Sequence, residues 1–207
     1  KNGKQAYNGQ LITDAKSSIA NNTIETKYHP LCDKNVGIEL YGRNILQEMR
    51  GADGGIIPAA DYYVEGVSIY NNRITAAGYG INLNDAKNNK IISNTIIGDG
   101  YDNSDPQREQ YNGIRISTGS TGNAINSNTI SGIHQTGILL YDNASATTVN
   151  GNTISNCSAY GIRLNKNCSV TDSMKDNTIH GCPQGAILTG EKSGCTVANG
   201  ISQNTIQ

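Results

Sequence analysis

The chain has 207 residues and a formal net charge of −1, a length that suits one domain or two small ones. This near-neutral balance provides no general attraction to nucleic acid or to an anionic membrane, so we expect neither as a partner. No apolar run approaches the roughly 20 residues that a membrane-spanning helix needs. Isoleucine outnumbers leucine 26 to nine, and phenylalanine and tryptophan are absent, which favours a core of β-branched side chains on short strands.

Two half-repeats alternate along the chain. The first places an asparagine three residues after an apolar residue and two before an isoleucine or its equivalent, at Asn22, Asn72, Asn94, Asn128, Asn152, Asn177 and Asn204. The second has the form Gly-apolar-x-apolar and starts at Gly37, Gly80, Gly113, Gly137, Gly161 and Gly185. The last four glycines are 24 residues apart, and a fixed period of this length is typical of a solenoid. The spacing predicts one domain over residues 1–207, with about seven coils of roughly 22–27 residues.

Both half-repeats alternate apolar and polar residues at period two, which indicates β-strands. Ile114 and Ile116 are predicted to point into the core, and Arg115 and Ser117 away from it. The recurrent asparagine is predicted at a sharp turn between two strands, where it can adopt the left-handed conformation and hydrogen-bond from coil to coil. We interpret these asparagines as a structural ladder rather than as ligands.

The repeat resembles that of the right-handed parallel β-helix superfamily, the fold of pectate lyases and polygalacturonases. It is similar in particular to the carbohydrate-binding and sugar-hydrolysis repeats of mannuronan C-5-epimerases and of the periplasmic protein NosD. The resemblance covers roughly residues 12–206 and implies an all-β, right-handed parallel β-helix in a secreted or cell-surface protein. A leucine-rich repeat can share the period of 24, but nine leucines are too few and no half-repeat has a helical pattern.

Three insertions interrupt the N-terminal half, at residues 25–36, 42–65 and 98–111. All three flank the Gly-apolar-x-apolar strand, so they are predicted to wall a groove over its outer face. One outward column on that face is predicted to contain Glu39, Asn82, Arg115, Leu139, Arg163 and Ile187. The next is predicted to contain Tyr41, Asn84, Ser117, Tyr141, Asn165 and Thr189.

Tyrosine, amide and guanidinium groups in a line suit an extended glycan, because they offer stacking faces, hydrogen bonds and charge for carboxylates. We therefore predict polysaccharide contacts at Glu39, Asn82, Asn84, Tyr141, Arg163 and Asn165. An ordinary solvated sheet face would also carry such polar residues, and the sequence leaves this alternative open.

The resemblance implies a uronate-containing polysaccharide as substrate, with lyase or C-5-epimerase chemistry. Both reactions remove the proton next to a carboxylate, so they need a group that neutralises the carboxylate and a base. Arg115 is the candidate for the first role, with Tyr41, Tyr111 or His29 for the second. The alternative is a non-catalytic glycan-binding or structural surface module of a larger exported protein.

The loop between Gly98 and Tyr111 is rich in acidic residues. Asp99, Asp102, Asp105 and Glu109 provide oxygen ligands of the kind that calcium prefers, although their spacing differs from that of an EF-hand and a solvated acidic loop would look the same. The epimerases that the chain resembles carry an Asp-Pro-His-type motif. Here Asp105-Pro106 is followed by Gln107, so the histidine of that motif is missing.

The cysteines follow the repeat. Cys157 and Cys182 occupy equivalent positions in neighbouring coils, as do Cys168 and Cys195, so buried thiols or disulfides between coils are both possible. Cys32 has no equivalent partner. The chain starts without methionine and stops inside a repeat, so we expect it to be part of a longer protein, and a monomer unless the open end of the solenoid pairs.

Overall fold

The computed structural model describes residues 5–7, 10–12, 17–28, 35–45, 49–50, 54–57, 60–100 and 111–207. In this part of the chain, three parallel sheets run along the molecule, and successive strands of one sheet come from successive coils. The chain passes repeatedly from the first sheet to the second, then to the third and back to the first. The predicted right-handed parallel β-helix is confirmed.

The three sheets are built from short strands. The first contains Ser17–Ala20, Val67–Tyr70, Lys90–Ile92, Asn123–Asn126, Ser145–Asn150, Ser169–Lys175 and Thr196–Val197. The second contains Thr23–Glu25, Arg73–Ala76, Thr95–Gly98, Thr129–Ser131, Thr153–Ser155, Thr178–His180 and Thr205–Ile206. The third contains Ile38–Tyr41, Ile81–Asn84, Ile114–Ser117, Ile138–Tyr141, Tyr160–Asn165 and Gly185–Leu188.

Smaller elements lie outside these sheets. A parallel pair joins Val64–Glu65 to Ala86–Lys87, and a 3-10 turn spans Glu191–Ser193. The antiparallel pairs are Gln5–Tyr7 with Gln10–Ile12, Arg43–Ile45 with Ala60–Tyr62, and Met49–Arg50 with Ile56–Ile57. The last two pairs make the insertion at residues 42–65 a hairpin arm. No helix in the described ranges is long and apolar enough to cross a membrane.

The core is a stack of isoleucine and other aliphatic side chains, with at least one inward column from each sheet. The fully buried members include Ile69, Ile91, Ile125, Ile74, Ile96, Ile130, Ile81, Ile114, Ile116 and Ile138. Each such side chain gains about 1.5–3 kcal/mol by leaving water. The predicted inward orientation of Ile114 and Ile116 is therefore confirmed.

The repeat glycines allow the coils to stack. A Cβ on Gly113 would lie 2.7 Å from the carbonyl oxygen of Gly137 and 2.7 Å from Cγ2 of Ile130. At the root of the hairpin arm, a Cβ on Gly42 would collide with the carbonyl oxygens of Tyr62 and Asp85. Close approach of the backbones, rather than an unusual dihedral angle, requires glycine at these positions.

The asparagine ladder is confirmed. From Asn22 to Asn204, each Nδ2 donates to Oδ1 of the next asparagine at 2.7–3.0 Å. Each Oδ1 also accepts a backbone N–H from the preceding coil. These bonds satisfy polar groups that would be costly to bury unpaired. Asn89 and Asn123 form a second, shorter ladder of the same kind, with 3.1 Å between Nδ2 and Oδ1, which the sequence analysis missed.

The backbone conformation predicted for the ladder asparagines is wrong. The left-handed residue is the one before the asparagine in six coils, at Asn21, Asn71, Ser93, Ser127, Gly151 and Asp176, with φ between 54° and 64°. The preceding residue makes the turn, and the asparagine side chain is thereby free to bond from coil to coil.

Candidate functional site

The outer face of the third sheet carries the predicted site. Its first column is confirmed from Glu39 through Asn82, Arg115 and Leu139 to Arg163, each residue pairing with the next across one coil.

The last member of that column was predicted wrongly. Arg163 pairs with Leu188, while Ile187 pairs with the inward-facing Ile162. The final coil is therefore 25 residues long at this point, Gly185 lies opposite Tyr160, and the predicted outward positions of Ile187 and Thr189 are shifted by one residue.

Arg115 is held by side chains from the two neighbouring coils. The carbon of its guanidinium lies 5.4 Å from the ring centre of Tyr79 and 5.7 Å from that of Tyr141. Nη1 lies 3.5 Å from Oδ1 of Asn82, and Nδ2 of Asn82 donates to Oε1 of Glu39 at 2.8 Å. Asn82 is only 1% exposed, so its amide faces its neighbours and orients Arg115.

Arg115 lies in an open groove of about 380 Å³, which we call the arginine groove. Its lining consists of Tyr79, Asn112, Arg115, Gln135, Leu139, Tyr141, Arg163 and Asn165. None of these residues is acidic, and within the described part of the chain neither guanidinium has a carboxylate partner. Arg163 lies beside the ring of Tyr160, at 5.5 Å, and its Nε is buried without a hydrogen bond.

The structure brings together four of the predicted site residues, namely Arg115, Tyr141, Arg163 and Asn165. The others on this face belong to the two coils that precede Arg115 and are not part of the lining, namely Glu39, Tyr41, Asn82 and Asn84. Tyr41 is 56% exposed, and Asn84 accepts a hydrogen bond from Oγ of Ser117.

Two predicted features of this face differ in the structure. Ser117 points outward in register but is fully buried, and its single hydroxyl proton lies between two acceptors, the carbonyl oxygen of Leu83 and Oδ1 of Asn84. Tyr111 is 5% exposed and packs edge-on against Tyr79, with 5.5 Å between ring centres. It therefore supports a residue that contacts Arg115 and has little access to a substrate. The third candidate base, His29, lies outside the described residues.

Three residues that line the groove were not predicted from the sequence, namely Tyr79, Asn112 and Gln135. Tyr79 and Asn112 immediately precede a repeat glycine, and so does Tyr160, which contacts Arg163. Variation at this position, just before the strand, was a signal that could have identified Tyr79 and Asn112.

Of the four candidate calcium ligands, the structure describes only Asp99. Its Oδ1 lies 2.8 Å from Nε2 of His134, which is buried, so the carboxylate is already engaged at the root of the acidic loop. Asp102, Asp105 and Glu109 fall outside the described residues. No group of three or more metal-binding side chains occurs in the ranges that the structure covers, and calcium binding stays a prediction.

The stacked cysteines are present as thiols. Cys157, Cys168 and Cys195 are buried, Cys182 is half-buried, and Cys32 is not described. A hydrogen bond from Cys157 lowers the pKa of Cys182, and the same contact together with burial raises the pKa of Cys157. Burial raises the pKa of Cys168 to about 11.

A second cavity, of about 500 Å³, lies beside the last two coils. Its lining includes Ile179, Cys182, Pro183, Ala186 and Ile206, which are mostly apolar side chains. It is larger than the arginine groove, but it lacks the converging polar and charged groups from which a binding site is built. We therefore place the candidate site in the arginine groove.

Comparison with known proteins extends the result for the fold. A family model described as a right-handed beta helix region matches residues 3–205. No curated protein and no solved structure matches the chain. The family match agrees with the three parallel sheets and does not distinguish an enzyme from a binding or structural module.

Proposed function

Since the chain belongs to the right-handed β-helix family, we propose that it is a carbohydrate-binding member that takes an acidic, uronate-containing polysaccharide in the arginine groove. The observation that supports this most strongly is the pair Arg115 and Arg163, two guanidinium groups in a groove whose lining contains no acidic residue. A secreted or cell-surface location is part of the same proposal, because polysaccharides of this kind lie outside cells.

Arginine is well suited to this ligand. Its planar fork of N–H donors binds a carboxylate through two parallel hydrogen bonds, which lysine cannot reproduce. Arg115 is already positioned by two tyrosine rings and by Asn82, so binding would cost less conformational entropy than for a free side chain. The amides of Gln135 and Asn165 can bond sugar hydroxyls, and Tyr141 provides an aromatic surface.

Replacing Arg115 by lysine tests the proposal. Titration calorimetry with uronate oligomers should show affinity weakened by about 1–3 kcal/mol, while the unfolding temperature stays that of the parent. Arg73→Lys is a matched control, because Arg73 is exposed on the second sheet. Equal affinity of parent and both variants would show that the third-sheet face is an ordinary solvated surface.

A lyase or C-5-epimerase is the second candidate, and one contact favours it. The Tyr141 ring lies 5.7 Å from the Arg115 guanidinium and 4.8 Å from Nζ of Lys166. The hydrogen bond to Tyr141, together with the negative charge of its ionised form, raises the pKa of Lys166. A group that neutralises a carboxylate is thus next to a tyrosine whose phenolate form could accept the neighbouring proton.

The two reactions give different products. A lyase would release unsaturated uronate, which absorbs in the ultraviolet, and an epimerase would give an inverted uronate that proton NMR detects. Tyr141→Phe should abolish either activity and leave oligomer binding largely intact. If the parent binds uronates without forming either product, the non-catalytic alternative holds.

A further inference from the structure

The coils that line the arginine groove alternate in chemistry. Arg115 pairs with Leu139, and Leu139 pairs with Arg163, so the outward column is cation, apolar, cation. All three side chains line the groove. The middle strand, Ile138–Tyr141, presents Leu139 and Tyr141 there, and neither residue carries a charge.

The spacing of the strands sets the spacing of these groups. Adjacent parallel strands lie about 4.8 Å apart, so the backbones of Arg115 and Arg163 are separated by roughly 10 Å along the axis. A sugar in an extended polysaccharide advances by about one strand spacing. A glycan lying along the axis would therefore meet an arginine at every second sugar and Leu139 at the sugar in between.

Leu139 discriminates between the sugars that can lie in this middle position. A carboxylate turned towards Leu139 would lose water against a side chain that offers no hydrogen-bond donor, and this costs free energy. An uncharged ring would pack its C–H face, or the methyl group of an N-acetyl substituent, against Leu139 and the Tyr141 ring.

The geometry points to a polysaccharide in which a carboxylate-bearing sugar alternates with an uncharged one, with the carboxylates on Arg115 and Arg163 and the uncharged sugar on Leu139 and Tyr141. This inference rests on the proposed function and adds the substrate class to it. The inference predicts that the groove selects ligands by the spacing of their charges. A homopolymer of uronic acid carries more charge, but every second carboxylate would lie on the middle coil or point away from the groove, where neither arginine binds it.

The test compares three oligosaccharides of equal length by titration calorimetry on the parent protein. They are alternating glucuronate and N-acetylglucosamine, oligogalacturonate, and oligo-N-acetylglucosamine. The alternating oligomer should bind about tenfold more tightly than oligogalacturonate, and the neutral oligomer should show no measurable binding. Equal or tighter binding of oligogalacturonate overturns the inference and leaves the proposed function standing. Failure of both acidic oligomers to bind overturns the proposed function as well.

Leu139→Lys tests the middle position directly. The variant should abolish the preference, because its affinity for oligogalacturonate should rise about tenfold relative to that for the alternating oligomer. Thr129→Lys adds the same charge on the exposed face of the second sheet and should leave the parent's ratio unchanged. An unchanged ratio in a folded Leu139→Lys variant contradicts the inference. Leu139→Gln is a second variant that introduces a hydrogen-bond donor without a charge. It should reduce the ratio of the affinity for the alternating oligomer to the affinity for oligogalacturonate.

Discussion

The outer faces of the second and third sheets cover the same kind of isoleucine interior but differ in chemistry. Along the second sheet one outward column reads Thr23, Arg73, Thr95, Thr129, Thr153, Thr178 and Thr205. The corresponding column of the third sheet changes from acid to amide, guanidinium and leucine. Threonine is a residue that strand geometry alone favours. The difference supports placing the proposed site on the third sheet, where the outward residues stop following the repeat.

A charge placed in the interior should destabilise the protein equally under the second sheet and under the third. Ile138→Asp in the third sheet and Ile130→Asp in the second each place a charge where the parent side chain is fully buried. We expect each to lower the free energy of unfolding by about 3–5 kcal/mol, because the carboxylate has no partner there. Denaturant unfolding measures the loss, and Thr129→Asp on the exposed face is the control. A loss at Ile138 no larger than that of the control would mean that Ile138 faces outward.

The asparagine ladder borders the second sheet and should be the next most sensitive feature. Asn128→Ala removes the acceptor for Asn94 and the donor to Asn152, and it leaves buried polar groups unpaired. A loss of about 1–3 kcal/mol is expected, again by denaturant unfolding. Thr129→Ala is the control, since Thr129 is the exposed neighbour of Asn128 on the outward column of the second sheet. Equal losses in the two variants would contradict the structural role of the ladder.

Much of the fold could be predicted from the sequence, because each coil repeats a short pattern of packing residues. The register of the last coil was not predicted correctly because Gly185 occurs 24 residues after Gly161, where a repeat glycine is expected. It lies one residue before the position that pairs with Gly161. An added residue in a turn changes register without changing the strand pattern, so periodicity alone could not detect it.

The site was less predictable because alternation along a strand gives the direction of a side chain but not its exposure. Asn82 and Ser117 both point outward, and both are buried by contacts with neighbouring coils. Tyr79 lies before its strand and reaches Arg115 from the side. Such contacts depend on side-chain length and on packing between coils, which a period-two pattern does not contain.

Removing the support of Arg115 should affect binding less than changing Arg115 itself. Asn82→Ala deletes the amide between Glu39 and Arg115, so we expect affinity for uronate oligomers to fall by about 0.5–1.5 kcal/mol. Asn82→Asp should weaken binding further, because it places a carboxylate where the ligand needs the cation. Titration calorimetry distinguishes the variants. A loss in Asn82→Ala as large as that in Arg115→Lys would mean that Asn82 contacts the glycan.

Calcium, if bound, should depend on the acidic loop that precedes the strand of Arg115. We expect the double variant Asp102→Asn, Asp105→Asn to lose calcium affinity in calorimetry, because it removes two of the candidate oxygen ligands. The calcium affinity of Asp99→Asn should be measured beside it, because the Asp99 carboxylate already contacts His134 and the comparison tests whether it also contributes to calcium binding. Equal calcium affinity in the parent and the double variant would exclude the loop as the binding site.

The smallest effect concerns the turn between the second and third sheets, where Cys157 and Cys182 lie in neighbouring coils. The thiolate is the reactive form of cysteine, and the hydrogen bond from Cys157 lowers the pKa of Cys182. Cys182 is also half-buried, whereas the other three described cysteines are buried. Among the four described cysteines, iodoacetamide should therefore label Cys182 first, already below the pH at which an ordinary thiol reacts, without changing the unfolding temperature. In Cys157→Ala the donor is absent, so the pH at half-maximal labelling should rise towards the ordinary thiol value. Labelling of Cys168 or Cys195 before Cys182, or a pH profile unaltered in Cys157→Ala, would show that the pair is not coupled as the structure indicates.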